Sequence, residues 1–466
     1  MAESHDVVII GGGPGGYAAA LYGAAAGLSV GMVERDKVGG TCLHRGCIPA
    51  KELLETAAVY RTVGHAGTFG IGSSEPTIDF GTTQARKQKV VDSLTKGLTG
   101  LLKARKVVTY AGTGTYTGGG TVRVEGSDGS TTDLSADAVI LAAGSAVRTL
   151  PGFDIDGTWV LSSDEVLAMD DLPASAAVVG GGAIGCEFAS MLSDLGVKVT
   201  VLEYLPKILP GLDADVAAVV QRSFKRRDID VRTGVKVTGH TPGKKTTKVH
   251  IEGGDDVEVE RVVVSVGRSP MSGTLGLEGT GVEVDDRGFV KVDATCRTNV
   301  DGVWAIGDLI ATPQLAHVGF AEAIVVIKDI LGEDPVPVQY DRVPWCIYCR
   351  PEVAFAGHSE ESAREAGYDV VVSKHQFRGN SRAQIIDDVE GLVKIIAAKD
   401  KDGKAGQILG VHMVGPWVTE QLGAGYLAVN WEASVDEVAA FIQPHPTLTE
   451  LFGESVLALT GRGLHG

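Results

Sequence analysis

Cysteine is scarce in this chain, with six residues among 466. A small scaffold stapled by disulfides needs a far higher density of cysteine, so this class of protein is excluded. In a reducing compartment, a disulfide that does form is more often catalytic than structural. The spacing of Cys42 and Cys47 in the segment CLHRGC is therefore the first feature to explain.

Positive charge and long apolar runs are also lacking. The net charge of −17 argues against a general nucleic-acid binder, because phosphate backbones repel an acidic surface. No apolar run approaches the roughly 20 residues needed to span a bilayer. The first residues, MAESHDVVIIGGG, carry acids where a signal peptide carries basic residues. We therefore expect a cytoplasmic protein with no nucleic-acid or membrane partner.

Glycine is abundant, with 63 residues, and it marks an internal repeat. Residues 6–34 have the pattern of an apolar strand, a glycine turn, an alanine-rich helix and a second strand that ends at Glu34. Residues 176–203 repeat this pattern and end at Glu203. In each unit the acid follows the first glycine by 23 positions. The two sets of glycines are Gly11, Gly13 and Gly16, and Gly180, Gly182 and Gly185.

Each glycine of such a unit has a separate task. The first makes the strand-to-helix turn, the second lets the backbone approach a pyrophosphate, and the third allows close helix packing. The acid accepts hydrogen bonds from a ribose 2′-hydroxyl and repels a 2′-phosphate. The sequence therefore predicts two dinucleotide sites. Tyr204, Leu205 and Pro206 follow Glu203 without an arginine, which favours NAD over NADP at the second site.

The two cysteines of CLHRGC need a distorted turn to meet. Residues five apart on a regular helix rise about 7.5 Å and point roughly 140° apart, which disfavours a disulfide. Gly46 and Pro49 supply the distortion. Cys47 then lies near a helix N-terminus, which lowers the pKa of its thiol, and Lys51 shares its helix face. The alternative interpretation is a buried apolar Cys47 and a surface Lys51.

A candidate acid–base pair lies near the C-terminus, in QPHPTLTELFGE. His445 is held between Pro444 and Pro446, which fix its backbone. Glu450 follows five residues later, and a carboxylate bonded to one ring nitrogen leaves the other nitrogen free to move a proton. The alternative is a histidine that belongs only to a turn.

The remaining cysteines do not indicate a metal site. Cys346 and Cys349 form a C-x-x-C, but no second pair supplies further ligands, and in a strand the two would face opposite sides. We interpret them as buried residues, and Cys186 and Cys296 as structural. No metal is expected.

Taken in order along the whole chain, these features resemble the class I pyridine nucleotide–disulfide oxidoreductases. The segments that carry the resemblance are the fingerprint from Gly11, CLHRGC with Ile48-Pro49-Ala50-Lys51, the fingerprint from Gly180, VWAIGD ending at Asp308, and HPTLTE from His445. The resemblance implies an α/β homodimer with two Rossmann-like dinucleotide-binding domains and a C-terminal α+β interface domain. The predicted domains are 1–150 for FAD, 151–272 for NAD, 273–343 as a central domain that completes the FAD site, and 344–466 for dimerisation. In the last, the pattern predicts strands over 369–373 and 391–398, then helices over 417–430 and 435–442.

The resemblance also implies the catalytic roles. Cys42 would be the thiol that exchanges with substrate, and Cys47 the thiol against the flavin. His445 with Glu450 would act as the base on the Cys42 of the other subunit. Lys51 would lie near the flavin ring, paired with a glutamate that follows the second fingerprint.

Cofactor-binding positions follow from the same resemblance. The positions for FAD are Gly11, Gly13, Gly16, Glu34, Gly40, Thr41, Lys51, Gly112, Ala143, Gly144, Ser145, Asp308, Gln314, Leu315, Ala316 and His317. The positions for NAD are Gly180, Gly182, Gly185, Glu187, Glu203, Val237 and Gly267, and Glu187 is the glutamate expected to pair with Lys51.

Within this family, Pro351-Glu352 in IYCRPEVAFAG is typical of enzymes that oxidise protein-bound dihydrolipoamide and pass electrons through the disulfide and FAD to NAD⁺. The partner would be the lipoyl-bearing acyltransferase of a 2-oxo-acid dehydrogenase complex. Alternatives are a glutathione- or mycothione-type reductase, or a flavin redox sensor or docking protein with little turnover. His44-Arg45, Gln443 and Val318-Gly319-Phe320 depart from the usual pattern and bear on the substrate channel.

Overall fold

Buried parallel strands organise the first sheet of the computed structural model, which describes residues 3–72 and 75–465. Its first elements are β1 (Glu3–Ile10), α1 (Pro14–Ala25), β2 (Val30–Glu34), α2 (Gly40–Arg45), α3 (Cys47–His65), α4 (Phe80–Ala104), β3 (Val108–Ala111), β4 (Thr113–Gly118), β5 (Thr121–Glu125), β6 (Thr131–Leu141) and β7 (Ser145–Val147). The strand order is β3-β2-β1-β6-β5-β4, with antiparallel pairing only at β4, β5 and β6. Val7, Val8 and Ile9 are fully buried, as expected for a parallel strand covered on both faces.

A second parallel sheet follows and is built in the same way. Its elements are β8 (Val160–Leu161), α5 (Ser163–Leu167), β9 (Ser175–Val179), α6 (Ala183–Asp194), β10 (Lys198–Glu203), α7 (Ala214–Arg226), β11 (Asp230–Thr233), β12 (Val237–Pro242), β13 (Thr247–Ile251), β14 (Val257–Val259), β15 (Arg261–Val264) and β16 (Arg268–Pro270). The order is β11-β10-β9-β15-β8, and β12, β13 and β14 form a separate antiparallel sheet. The predicted repeat of two βαβ units is confirmed.

The chain then returns to the first sheet. β17 (Val303–Ala305) pairs in parallel with β6, and α8 (Ala316–Ile330) packs against α1. The loop between them and the start of α8 are thereby brought to the first glycine turn. The segment expected to complete the first nucleotide site is therefore placed to do so, while the exact domain boundaries at 150, 272 and 343 stay a prediction.

The C-terminal part is an antiparallel sheet covered by helices. Its elements are β18 (Trp345–Ile347), β19 (Glu352–Gly357), α9 (Glu360–Glu365), β20 (Val370–Gln376), α10 (Ser381–Ile385), β21 (Leu392–Lys399), β22 (Ala405–Gly415), α11 (Val418–Asn430), α12 (Val435–Ala439) and α13 (Glu450–Leu459). The strand order is β18-β19-β22-β21-β20. The α/β class with a C-terminal α+β unit is as predicted. Among the helices of the described ranges, none is both long and apolar enough to cross a membrane.

Candidate functional site

The redox turn lies between two helices that Gly46 separates. α2 ends at Arg45, Gly46 adopts a non-helical backbone (φ −147°, ψ −112°), and α3 begins at Cys47. A Cβ atom on Gly46 would lie 3.0 Å from the Thr41 carbonyl oxygen, so the chain folds back tightly here. This break brings the thiols of Cys42 and Cys47 into hydrogen-bonding contact. Both are free thiols, so the structure represents the reduced form of the pair.

The two thiols differ in acidity. The hydrogen bond from Cys42 stabilises the thiolate of Cys47 and lowers its pKa to about 7; burial opposes this shift and the Lys51 ammonium assists it. The same contact, together with burial, raises the pKa of Cys42. The pair therefore favours the thiol at Cys42 and the thiolate at Cys47.

Lys51 joins three parts of the chain. Its Nζ donates to both carboxylate oxygens of Glu187 at 2.9 Å and lies 4.9 Å from the centre of the Tyr348 ring. Glu187 Oε1 also accepts the Tyr348 backbone N–H at 2.8 Å. Burial disfavours the Lys51 charge, but the Glu187 carboxylate outweighs it and raises the pKa of Lys51. The predicted contact between Lys51 and Glu187 is present, although the residues are 136 positions apart.

His44 and Arg45, which depart from the usual pattern between the cysteines, connect the redox turn to its surroundings. His44 Nε2 lies 2.9 Å from the Val38 carbonyl oxygen. Arg45 donates to Asp36 Oδ2 at 2.6 Å, and its Nε lies 3.7 Å from Asp164 in α5. Arg45 thus links the redox turn to both nucleotide units.

The first glycine turn has the geometry of a pyrophosphate cradle. Gly11 has φ +110°, which makes the strand-to-helix turn. A Cβ atom on Gly16 would lie 1.8 Å from the Gly11 carbonyl oxygen, so only glycine fits this contact. Gly13 has nothing within 4 Å of its Cβ position, and it caps α1, whose N-terminus attracts anions. The second turn repeats each value closely: φ is +106° at Gly180, the Cβ of Gly185 would lie 1.9 Å from the Gly180 oxygen, and Gly182 borders open space.

The acids that end the second strand of each unit have matching environments. Glu34 accepts the Gly12 and Asp36 backbone N–H groups at 2.7 and 2.8 Å. Glu203 accepts those of Gly181 and Leu205 at 2.6 and 2.7 Å. Each carboxylate is thereby fixed at the mouth of its glycine turn, where a ribose hydroxyl would reach it. Glu203 is buried, whereas Glu34 is partly exposed.

Asp308 lies at the second edge of the first cradle. Ser145 Oγ donates to Asp308 Oδ2 at 2.5 Å, and Arg268 Nε donates to Ser145 Oγ at 2.7 Å. The buried Glu322 holds the same loop, because it accepts the Gly307 N–H at 2.6 Å. Burial raises the pKa of Glu322 to about 7. Arg268 and Glu322 are not among the predicted residues, although a lone carboxylate on the apolar face of α8 could have signalled Glu322.

The start of α8 supplies the remaining side of this cradle. Leu315 caps the helix without a side-chain bond, and Ala316 opens it. Gln314 Nε2 is buried without a hydrogen-bond partner in the described chain, so it is a donor available to an acceptor of the cofactor. His317 Nε2 lies instead 2.8 Å from the Pro344 carbonyl oxygen.

The other predicted positions lie on helices, strands and turns of the two nucleotide units. Thr41 lies in α2, Gly40 begins it with φ +58° beside Gly13, Gly112 follows β3 with φ +157°, and Ala143, Gly144 and Ser145 follow β6. On the second sheet, Val237 begins β12, and Gly267 follows β15 with φ +108° and open space around it. The described residues fit FAD at the first cradle and NAD at the second, which are the cofactors of this fold family.

His445 and Glu450 form a pair at the start of α13, one of the helices that cover the C-terminal sheet. His445 Nδ1 lies 3.1 Å from Glu450 Oε2, which also accepts the Thr447 N–H at 3.1 Å. Glu450 is mostly buried (17% exposed), and His445 is 69% exposed. Because Glu450 engages Nδ1, the nitrogen available for proton transfer is Nε2. Within the described ranges, no contact joins His445 to the Cys42 of the same chain, so the His445–Glu450 pair and the redox turn are separate groups in one chain.

Cys346 and Cys349 enter different cores. Cys346 packs against the C-terminal domain, and Cys349 is buried in the core that this domain shares with the second nucleotide unit. Burial raises the pKa of both thiols. In the part of the chain that the structure describes, no group of three or more His, Cys, Asp or Glu residues could hold a metal ion.

Comparison with known proteins agrees with this geometry. Residues 5–323 match the model of the pyridine nucleotide-disulphide oxidoreductase family, and residues 343–456 match the dimerisation domain of that family. A dihydrolipoyl dehydrogenase of Bacillus subtilis is 42% identical, and one of Zymomonas mobilis is 39% identical, each with both chains covered completely. The crystal structure of LpdA from Mycobacterium tuberculosis superposes with a TM-score of 0.92 at 27% identity, over 98% of this chain and 100% of that one. The chain is a member of the pyridine nucleotide–disulphide oxidoreductases.

Proposed function

We propose that this protein is a dihydrolipoyl dehydrogenase, which oxidises protein-bound dihydrolipoamide to lipoamide and reduces NAD⁺. The observation that carries the proposal is the redox turn, where Cys42 and Cys47 meet beside the Lys51–Glu187 ion pair. The full-length similarity to proteins named dihydrolipoyl dehydrogenase supports this substrate over glutathione or mycothiol disulfides.

In the oxidised enzyme, Cys42 and Cys47 would form a disulfide. One thiolate of the dihydrolipoyl group attacks Cys42, and Cys47 leaves as a thiolate, which its lowered pKa favours. The second substrate thiol then attacks the mixed disulfide, closes the lipoamide ring and releases Cys42 as a thiol. Two protein sulfurs have gained the electron pair that two substrate sulfurs have lost.

The base for this exchange is His445 with Glu450, acting on the Cys42 of the partner subunit. Glu450 fixes the ring through Nδ1, so that Nε2 takes a proton from the attacking thiol and returns one to Cys42. The match of residues 343–456 to a dimerisation domain and the separation of His445 from Cys42 within one chain both support action across the dimer.

Gly11–Gly16, Asp308 and the start of α8 would hold FAD, and Gly180–Gly185 would hold NAD⁺. When bound, the flavin would supply two-electron chemistry between the dithiol and the nicotinamide. Lys51 would place its ammonium beside Cys47 and the flavin, and Glu187 would hold it there. Glu203 would select NAD⁺, because its carboxylate occupies the place of a 2′-phosphate.

The test is steady-state turnover with purified holoenzyme. We expect NAD⁺ reduction with free dihydrolipoamide, and little oxidation of NADPH by glutathione disulfide. The reverse preference would contradict the substrate assignment. Absence of turnover with either substrate would favour a flavin redox sensor. In such a sensor the Cys42–Cys47 pair changes its redox state, but His445 does not serve as a proton carrier in catalysis.

Changing His445 tests the base and its location together. His445→Gln should lower kcat by roughly 10²- to 10⁴-fold, the usual contribution of a general base. The decisive measurement uses heterodimers of a Cys42→Ser chain with a His445→Gln chain. If the base acts in trans, each heterodimer contains one intact site and retains about half of the wild-type activity. If it acts within one chain, no site is intact and activity is lost.

The proposal also includes the partner of the enzyme and its location in the cell. Its partner would be the lipoyl-bearing acyltransferase of a 2-oxo-acid dehydrogenase complex, which brings the dithiol to Cys42. We place it in the cytoplasm, because six cysteines in 466 residues are too few for a disulfide-stapled secreted scaffold.

A further inference from the structure

The helix α4 carries a charge opposite to that of the rest of the molecule. Residues 80–106 contain seven Lys or Arg residues and one Asp, a net charge of +6. The chain as a whole carries −17, so the remaining residues carry −23. A basic surface of this kind on an acidic protein attracts a ligand or partner of negative charge.

Three lysines of α4 form a row along its outer face. Lys89, Lys96 and Lys103 follow one another at intervals of seven residues, and all three are exposed. The residues that enter the core are Phe80, Thr83, Lys87, Val91 and Leu102, on the opposite side of the helix. Across the ranges 3–72 and 75–465, no carboxylate lies within ion-pair distance of the three lysines. Their charges are therefore not neutralised by the chain itself.

Exposed leucines of α4 do not belong to this row. Leu94 and Leu101 are each 46% exposed, but each follows a lysine of the row by five residues and therefore points roughly 140° away from it. Gly97 and Gly100 have nothing within 4 Å of their Cβ positions. The lysine face is therefore defined as Lys89, Lys96 and Lys103, and it is basic and exposed.

The helix that carries the lysine face runs beside the redox turn, and the lysines lie on its outer side. α3 and α4 are antiparallel, since Tyr60 donates to the Pro76 carbonyl at 3.0 Å and Arg86 Nε lies 2.7 Å from Glu52. Moving back along α3 towards Cys47 therefore corresponds to moving forward along α4. Cys47, five residues before Glu52, therefore lies about level with Val91, five residues after Arg86. α4 also packs against α2, which carries Cys42.

Building on the proposed function, we infer that the lysine face docks an acidic protein domain that carries the lipoyl group. Charge complementarity selects the occupant: a domain of net negative charge is attracted to the three unpaired lysines within a segment of net charge +6, and the −23 elsewhere repels it from other surfaces. Free dihydrolipoamide is neutral and too small to span this face, so it gains nothing from the lysines. The inference therefore separates the protein-bound substrate from the free one.

The experiment compares two substrates and three enzymes. The substrates are free dihydrolipoamide and an isolated, reduced lipoyl domain of net negative charge. The enzymes are the wild-type holoenzyme, the triple variant Lys89→Gln/Lys96→Gln/Lys103→Gln, and a control with the same charge change, Lys244→Gln/Lys245→Gln/Lys248→Gln. The control lysines are exposed on β13 and the turn before it, in the second nucleotide unit. Each kcat/KM is measured at about 20 mM and about 200 mM salt, because screening weakens exposed charges.

We expect the triple variant to lose at least about fivefold in kcat/KM for the lipoyl domain at low salt, with the loss carried by KM and reduced at high salt. Its kcat/KM for free dihydrolipoamide should equal that of the wild type, and the control should match the wild type with both substrates. An equal loss of kcat/KM in the control would mean that the net charge of the enzyme matters and the position of the lysines does not. This result would overturn docking at the lysine face. A loss with the free substrate would also overturn it, because the lysines would then act in the site itself.

A binding measurement tests docking at the lysine face independently of the proposed enzymatic function. Chemical-shift titration of the isotope-labelled, oxidised lipoyl domain with each enzyme needs no turnover. Salt-sensitive binding to the wild type and the control that is lost in the triple variant supports the lysine face, even if free dihydrolipoamide is not oxidised and the proposed function fails. Equal binding to all three enzymes overturns the lysine face, even if the enzyme oxidises free dihydrolipoamide as proposed.

Discussion

The two βαβ units have nearly identical cradles but differ in the helix that follows the glycines. φ is +110° at Gly11 and +106° at Gly180, and a Cβ on the third glycine would lie 1.8 or 1.9 Å from a backbone oxygen. α1 of the first unit, PGGYAAALYGAA, has no charged residue and packs against α8. Dinucleotide binding is therefore encoded locally, and the same way, in both units.

α6 of the second unit carries a polar stripe instead. Glu187 bonds Lys51, and Ser190 Oγ accepts the Arg350 N–H at 2.8 Å. Asp194 Oδ1 accepts a hydrogen bond from Arg227 Nη2 at 2.7 Å, and the Asp194 carboxylate also forms an ion pair with Arg61 of α3. The second unit is thus tied by charged contacts to the first unit and to the C-terminal sheet. The difference shows that this helix, and not the cradle, orients the second unit towards the redox turn.

The largest expected effect comes from the third glycine of each unit. Gly16→Ala and Gly185→Ala each force a methyl group onto a backbone oxygen, at a cost of more than about 3 kcal/mol in the local fold. We expect Gly16→Ala to be purified without flavin. Gly185→Ala should keep the flavin absorbance but lose NAD⁺ binding. Absorbance spectra and NADH titration distinguish the two outcomes.

Gly97→Ala is the matched control for these substitutions. Gly97 is exposed on α4, with open space around its Cβ position. The alanine should leave both cofactors bound and slightly raise the melting temperature, because alanine favours helix over glycine. If Gly185→Ala also lost the flavin, the two cradles would not be independent.

The local features of this enzyme could be predicted from its sequence, because short-range patterns encode them. The glycine turns, Glu34, Glu203 and the break at Gly46 each depend on neighbours within a few residues. β22 was not predicted, because its run ILGVHMVG is buried along its whole length and lacks the alternation of a half-exposed strand. Arg268 and Glu322 act on residues far along the chain, Ser145 and Gly307. The Lys51–Glu187 contact came from family resemblance, since no local pattern joins residues in different units.

A second prediction uses the acids that match between the units. Glu203→Gln removes a charge that can bond a ribose, so KM for NAD⁺ should rise about tenfold, the cost of a hydrogen bond to a charged group. KM for NADP⁺ should not rise, because the same change removes repulsion of a 2′-phosphate. Glu34→Gln should leave KM for NAD⁺ unchanged and weaken retention of FAD. Steady-state kinetics with both nucleotides check this, and a rise of both KM values would contradict the role of the charge.

The smallest effect is expected where the two units touch, at Lys51 and Glu187. The Lys51 ammonium lowers the pKa of Cys47 and the Glu187 carboxylate raises it, so the two substitutions should act in opposite directions. In Lys51→Ala the pKa of Cys47 should rise above about 7, so less thiolate is present at pH 7 and alkylation by iodoacetamide slows roughly fivefold. In Glu187→Gln the pKa should fall, and alkylation should persist to lower pH. The rate is measured on the reduced enzyme from pH 5.5 to 9, with mass spectrometry to assign the modified cysteine. Shifts of the same sign in both variants would mean that α6 only packs against α3 and does not set the charge at the redox turn.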